Sequence, residues 1–177
     1  KELPKEYKKE EAAFLSAKSY YLDSPIFSLD QETSYEALTA LQQFIDTYPN
    51  SDKIGEANKS VKELQYKIEK KVFEVAKQYY HIEDYIASIK SFDNLISDYL
   101  GTSFREEAIF YKLKASYELG IKSVLYKKEE RLDAAVKVYD KLKRNYPESE
   151  YTEESDKMLE RINKELATIK NTVANIE

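Results

Sequence analysis

The chain has 177 residues, of which 42% are hydrophobic and 34% charged, with a net charge of −5, three glycines, four prolines and no cysteine. The absence of cysteine excludes disulfides, thiolate catalysis and Cys-ligated zinc, and the acidic balance without a basic patch argues against nucleic acid as a partner. The scarcity of turn residues favours long helices with short connections. No apolar run approaches the roughly 18 residues that would span a bilayer.

The spacing of apolar residues predicts seven helices. In chain order the predicted ranges are 4–23, 32–48, 52–80, 83–99, 103–126, 130–146 and 150–172. The third helix, at 1.5 Å per residue, would be about 40 Å long. No segment shows the alternation of polar and apolar residues that marks a strand. No linker or low-complexity segment interrupts the chain, so we predict one all-α domain over 1–177.

A repeat becomes visible when three tyrosine-containing helix ends are aligned. Each copy has a small residue, a large residue four positions later, another large residue three positions after that, and a tyrosine at the helix stop. The residues are Ala37, Leu41, Phe44 and Tyr48, then Ser88, Phe92, Leu95 and Tyr99, then Ala135, Tyr139, Leu142 and Tyr146. Positions i, i+4 and i+7 share one helical face. The small residue lets a neighbouring helix approach, and the large residues fill the groove beside it.

The helix before each copy has an aliphatic residue and, three or four positions later, a tyrosine, in the order typical of tetratricopeptide repeats. The pairs are Ala17 with Tyr20, Val75-Ala76 with Tyr79, and Leu113 with Tyr117. We therefore predict a tetratricopeptide-like helical-hairpin solenoid with repeats at about 4–50, 52–101 and 103–149 and a capping helix at 150–172. In this arrangement Phe92 is buried opposite the helix that carries Val75 and Tyr79.

The sequence contains no recognisable catalytic constellation. Its only histidine, His81, falls at a predicted turn, and its three glycines are isolated, so neither a triad base, a histidine metal site nor a phosphate-binding loop is indicated. Acidic pairs such as Glu106-Glu107 suit the first turns of helices. We predict no enzymatic activity, no cofactor and no metal.

Sixteen tyrosines are the most unusual feature of the composition. The pattern predicts core positions for Tyr20, Tyr79, Tyr117 and Tyr139. It leaves open whether Tyr21, Tyr80, Tyr85 and Tyr111 pack in the core or anchor a partner, since tyrosine offers a large contact area at low entropic cost.

Several segments together resemble the BamD family, the tetratricopeptide lipoproteins of the outer-membrane β-barrel assembly machinery. They are the stretch from Asp30 to Ser51, the long helix ending in Val75-Ala76-Lys77-Gln78-Tyr79-Tyr80, and the stretch from Ser88 to Ala108. The resemblance covers roughly residues 10–120 and falls on the C-terminal half of the family pattern. The chain departs from that pattern in the helical hairpin after residue 120 and in Leu100, which replaces a proline.

The resemblance implies a protein-binding scaffold at the periplasmic face of the outer membrane, held by a lipid anchor outside this chain. The implied partners are the periplasmic domains of the barrel-forming subunit and other assembly lipoproteins. In the family, a basic side chain on the helix matching 83–99 reaches an acidic group of the barrel subunit. The matching position, Ser91, is uncharged, so the candidate partner-binding residues are its neighbour Lys90 with Tyr85 and Asp93.

Two other protein-binding functions stay open. One is a periplasmic tetratricopeptide adaptor of the Tol-Pal type, whose repeats carry similar Tyr-Pro ends. The other is a peptide-binding co-chaperone module that grips a C-terminal carboxylate, for which Lys77 and Lys114 occupy helix positions without a clear asparagine partner.

Overall fold

The computed structural model describes residues 5–174, with side chains through Asn171. This part of the chain forms α1 (Lys5–Asp23), α2 (Glu32–Thr47), α3 (Ile54–His81), α4 (Tyr85–Asp98), α5 (Arg105–Ile121), α6 (Leu125–Asn145) and α7 (Thr152–Ala174), and it contains no strand. The predicted all-α class is confirmed. No described helix has an apolar stretch long enough to cross a bilayer. The predicted start of the first helix at residue 4 lies outside the described residues.

The chain divides into two compact units within α3, one ending at Lys71 and the other beginning at Val72. The core of the first unit consists of Phe14, Ala17, Ala37, Leu41, Phe44, Ala57 and Leu64. The main core of the second consists of Phe73, Ala76, Phe92, Leu95, Ile96, Ala108, Ile109, Phe110, Leu113, Val138, Leu142 and Met158. A smaller cluster in the second unit joins α6 to α7 through Leu132, Ala135, Ile162 and Ile169. The single domain over 1–177 stays a prediction.

The small residue of each repeat lies in the protein interior. Ala37, Ser88 and Ala135 are all fully buried. In the second copy the Ser88 hydroxyl donates a 2.9 Å hydrogen bond to the carbonyl of Ala76, which is also fully buried. A buried hydroxyl without such a partner would destabilise the fold, so this contact explains how serine substitutes for alanine here.

The large positions of the repeat also lie in the core, as predicted. Leu41, Phe44, Phe92, Leu95 and Leu142 are buried, and Tyr139 packs half-buried against the main core of the second unit. The predicted burial of Phe92 is confirmed, but its aromatic neighbour on α3 is Phe73, with ring centroids 5.8 Å apart. Val75, which the repeat pattern placed on the inner face, is 40% exposed.

The tyrosine that closes each repeat occupies the helix C-cap. The backbone N–H groups of Tyr48, Tyr99 and Tyr146 each donate to the carbonyl four residues earlier, and their φ angles are −126°, −121° and −138°. A proline after the first and third tyrosines disfavours helical backbone at the residue before it. Tyr99 adopts the same geometry although Leu100 follows it, so this helix end does not require proline.

The hydroxyl residue after each tyrosine forms a short turn before the next helix. The hydroxyl oxygens of Ser51, Thr102 and Ser149 each accept a hydrogen bond from the N–H two residues later. The following helices begin three residues after each of these hydroxyls. The predicted starts at 52, 103 and 150 were therefore two residues early, because the hydroxyl opens a turn and does not cap the helix directly.

The connection between α5 and α6 differs most from the prediction. We placed it at 127–129, whereas α5 ends at Ile121 and α6 begins at Leu125. Near this end of α5, α6 packs closely against Gly120, where an added Cβ would lie 2.6 Å from Cδ2 of Leu132. The Ser123 hydroxyl, which donates to the Leu119 carbonyl, then closes the end of α5.

Two of the four tyrosines assigned to the core are placed differently from the prediction. Tyr20 is 42% exposed, and its neighbour Tyr21 packs against the core of the first unit instead. Tyr21 lies seven residues after Phe14 and four after Ala17, so these residues share a face that excludes Tyr20. Tyr79 is only half-buried, whereas Tyr117 and Tyr139 pack against cores of the second unit as predicted.

Replacing Phe92 with alanine should lower the free energy of unfolding by about 3–5 kcal/mol, because the substitution leaves a cavity in the main core of the second unit. The matched control, Val75→Ala on α3, should cost about 1 kcal/mol or less because its side chain is half in solvent. Chemical denaturation of both variants measures the difference. Equal losses of unfolding free energy in the two variants would contradict the burial of Phe92 and the exposure of Val75.

A pair of glycine substitutions tests the close approach of α5 and α6. Gly120→Ala should destabilise the protein by about 1 kcal/mol, because overpacking against fully buried Leu132 outweighs the gain in helix propensity. Gly55→Ala in α3, where an added Cβ has no neighbour within 4 Å, should stabilise it by about 0.5 kcal/mol. A stabilising Gly120→Ala variant in thermal denaturation would contradict the predicted clash.

Alkaline pH tests the packing of α6 against α7. Burial, together with a 2.7 Å hydrogen bond to Asp156, raises the pKa of Tyr139 from 10.0 to about 12. The folded state therefore favours the neutral phenol, so this stabilisation is complete below pH 10 and is lost as pH rises to about 12. Tyr139→Phe should lose less melting temperature across this interval than wild type. Tyr126→Phe, at an exposed position, should behave as wild type does.

Candidate protein-docking surface

The turn between α3 and α4 sets the orientation of the predicted docking residues. Glu83 has a φ of 63°, which is uncommon for a residue other than glycine. Asp84 follows as the N-cap of α4, and its carboxylate accepts a 3.1 Å hydrogen bond from the N–H of Ala87. The left-handed residue and the cap explain why α4 begins at Tyr85, two residues after the predicted start.

Tyr85 lies at the first position of α4 and is only 8% exposed. Its hydroxyl oxygen accepts a 2.6 Å hydrogen bond from the Lys122 ammonium, which also forms a 3.1 Å ion pair with Glu83. These two hydrogen bonds, with that to Tyr85 the larger cause, raise the pKa of Lys122. Tyr85 therefore links the α3–α4 turn to the end of α5, and little of its ring is available to a partner.

Lys90 and Asp93 lie on the solvent side of α4, three residues apart and hence on one face. Lys90 is exposed and forms no ion pair with any side chain in the described part of the chain. The Asp93 carboxylate forms a 2.5 Å ion pair with the Lys112 ammonium of α5. Lys90 and Asp93 are thus both exposed on α4, whereas Tyr85 is buried at the start of this helix.

A second surface of the second unit, formed by α3, α5 and α7, carries alternating lysine and aromatic side chains. Lys77 lies 4.8 Å above the centroid of the Tyr111 ring and 5.2 Å above that of Phe73. Its ammonium also forms a 3.6 Å ion pair with Glu107. The cation is therefore held by two rings and a carboxylate at once.

Lys114 of α5 is held in the same way as Lys77, by aromatic rings and a carboxylate. It lies within 6 Å of the Tyr80, Phe110 and Tyr111 ring centroids and forms a 2.8 Å ion pair with Glu154 of α7. Tyr151 stacks on Phe110 with centroids 4.1 Å apart. Burial raises the pKa of Tyr80, partly offset by the charge of Lys114. These contacts fix the aromatic side chains in place.

These lysines bear on the co-chaperone alternative. Lys77 and Lys114 are the cations that a carboxylate clamp would use, and both are already paired with Glu107 and Glu154. A peptide carboxylate would have to displace these acids, so the structure does not favour a carboxylate clamp on this surface.

The sequence pattern left open the roles of Tyr80 and Tyr111. The structure places both in this second surface, the lysine–aromatic lattice formed around Lys77 and Lys114. Their rings contact each other edge to face, with centroids 5.9 Å apart. The signal that could have revealed them is the spacing Phe73, Lys77, Tyr80, at i, i+4 and i+7 of α3. The tetratricopeptide pattern instead predicts that the neighbouring face, with Val75 and Tyr79, packs inward.

Within the described residues, no group of three or more histidine, cysteine, aspartate or glutamate side chains is arranged to hold a metal ion. His81, at the end of α3, is exposed.

Comparison with known families agrees with this architecture. Residues 1–132 match the family model of the outer membrane lipoprotein YfiO, and residues 122–149 match a tetratricopeptide repeat model. No curated protein matches the chain as a relative. The two family matches support a BamD-like tetratricopeptide protein, and both families consist of scaffold or adaptor proteins. Since the first match covers more than half of the sequence, the chain belongs to the YfiO family of outer membrane lipoproteins.

Proposed function

We propose that this chain is a protein-interaction scaffold of the outer-membrane β-barrel assembly machinery and that it docks on the periplasmic domains of the barrel subunit. The observation that carries the proposal is the match to the outer membrane lipoprotein family over residues 1–132, which include α1 to α5. In this proposal the protein is held at the periplasmic face of the outer membrane by a lipid anchor, and other assembly lipoproteins are further partners.

The exposed face of α4 is the proposed edge of the docking surface. Lys90 has no ion-pair partner among the described side chains, whereas Asp93 is held by Lys112. An unpaired cation at an interface rim contributes mainly by accelerating association with an acidic partner surface. Tyr85 accepts a hydrogen bond from Lys122 and would contribute by keeping the start of α4 in place.

Charge reversal at Lys90 tests the docking surface. Lys90→Glu should slow association with the isolated periplasmic domains of the cognate barrel subunit, and the effect should be larger at low salt because exposed charges are screened at moderate salt. The measurement is binding kinetics on an immobilised barrel subunit at two salt concentrations. Lys170→Glu, an exposed change on α7 with the same effect on net charge, is the matched control.

Three outcomes are informative. Slower association for Lys90→Glu alone supports the proposed edge. Equal affinity of both variants and wild type at both salt concentrations, with unchanged melting temperatures, removes Lys90 from the interface. Failure of wild type to bind the barrel subunit would reject the proposed partner and favour an adaptor of the Tol-Pal type.

A further inference from the structure

The second unit contains a groove on the side of α5 where α4 and α6 both pack against it. Its volume is about 390 Å³, and it is open to solvent. Its floor is apolar and comes from all three helices, through Ile89, Leu119, Ala134 and Val138. Along α5 the lining extends over eight residues, from Lys112 to Leu119, which corresponds to about 10 Å, or two helical turns.

The polar side chains around this floor are mostly cationic. Four of the nine lining residues are basic, namely Lys112, Arg131, Lys137 and Lys141, and no lining residue is acidic. The chain as a whole has a net charge of −5, so a basic composition does not account for this cluster. The groove is a local positive region on an acidic protein.

Most of this positive charge is not neutralised within the described residues. Only Lys112 has an ion pair, with Asp93. Arg131 donates to the Ser123 hydroxyl, which carries no charge. Lys137 and Lys141 are exposed, lie one helical turn apart and form no ion pair, not even with Asp133 one turn before Lys137. Like charges at this spacing repel each other, so a ligand with carboxylates would relieve that repulsion.

We propose that this groove binds an acidic amphipathic helix of a partner protein. Aliphatic side chains of one face of that helix would occupy the floor formed by Ile89, Leu119 and Val138. Carboxylates flanking that face would meet Lys137 and Lys141. A helix in a groove is a common mode of peptide recognition, and two turns of helix match the length of the floor. The proposal rests on the proposed function only in that the occupant is a protein segment.

The groove depends on a part of the chain outside the lipoprotein family match. That match ends at residue 132, whereas Ala134, Lys137, Val138 and Lys141 follow it on α6. The lining thus combines α4 and α5 of this match with α6, which lies in the region matched by the tetratricopeptide repeat model. Three of the four basic lining residues, Arg131, Lys137 and Lys141, belong to α6.

The test uses two synthetic helical peptides of 14 residues labelled with a fluorophore. The first has leucines at i, i+3, i+4 and i+7 and glutamates on both flanks of this face, and the second has lysine at each glutamate position. Fluorescence anisotropy with the full chain should show binding of the acidic peptide alone. Lys137→Glu/Lys141→Glu should weaken that binding at least about tenfold at low salt, because the two introduced carboxylates repel the glutamates of the peptide.

Two further variants separate the groove from general electrostatics. Lys164→Glu/Lys170→Glu on α7 changes the net charge by the same amount at exposed positions away from the groove lining, and should bind as wild type does. Ala134→Trp fills the groove from an exposed position and should abolish binding while circular dichroism and melting temperature stay unchanged.

The proposal is overturned if the acidic peptide does not bind, if the lysine peptide binds equally well, or if the two double variants weaken binding equally. It is also overturned if wild type forms a dimer that Ala134→Trp abolishes, since the occupant would then be a second copy. Failure here with intact binding to the barrel subunit leaves the proposed function standing. Peptide binding without barrel-subunit binding supports the groove and rejects the proposed partner.

Discussion

The small, fully buried residue in the second helix of each hairpin is the constraint on which the rest of the packing depends. The distance between packed helices is set by the side chains at their contact, typically 8–10 Å between axes. Ala37, Ser88 and Ala135 keep that contact narrow, and all three are fully buried. Ser88 meets the constraint with a hydroxyl only because the Ala76 carbonyl accepts a hydrogen bond from it. The large residues that follow can then reach across and form the cores.

Helix α5 occupies the centre of the second unit. It packs against α4, α6 and α7, and buried residues are distributed around its circumference, including Ile109, Phe110, Leu113 and Ser116. A helix that is apolar on several faces has to be covered on several sides. As a consequence α5 contributes to two surfaces, the lysine–aromatic lattice with α3 and α7 and the groove with α4 and α6. The near contact of Gly120 with Leu132 holds α6 close to the end of α5.

The two surfaces differ in how their charges are compensated. In the lattice, Lys77 and Lys114 each have a carboxylate partner and aromatic rings, so this surface is electrostatically complete by itself. In the groove, Lys137 and Lys141 have neither. Exposed ion pairs contribute little to stability, but an uncompensated cluster of one sign attracts ligands of the opposite sign. The groove, and not the surface around Lys77 and Lys114, therefore retains positive charge that can attract an acidic ligand.

The sequence by itself determined the helical class and the buried positions of Ala37, Phe92 and Leu142, because each follows from periodicity within one helix. It also predicted that helices end at the repeated tyrosines. The sequence-based predictions were wrong where contacts between helices decide which face of a helix is buried. Local spacing favoured the face of Val75 and Tyr79, whereas packing selected Phe73 and Tyr80.

Tertiary structure alone decided which charges are paired and which surfaces result. Lys90, Lys112 and Lys137 are equivalent as residue types, yet only Lys112 has a carboxylate within reach. That carboxylate, Asp93, belongs to another helix, 19 residues away in the sequence. A groove lined by three helices has no signature in any one of them, because its floor exists only after α4 and α6 have packed on α5. Periodicity reports the face that a helix buries, but the neighbour that covers this face depends on the whole fold.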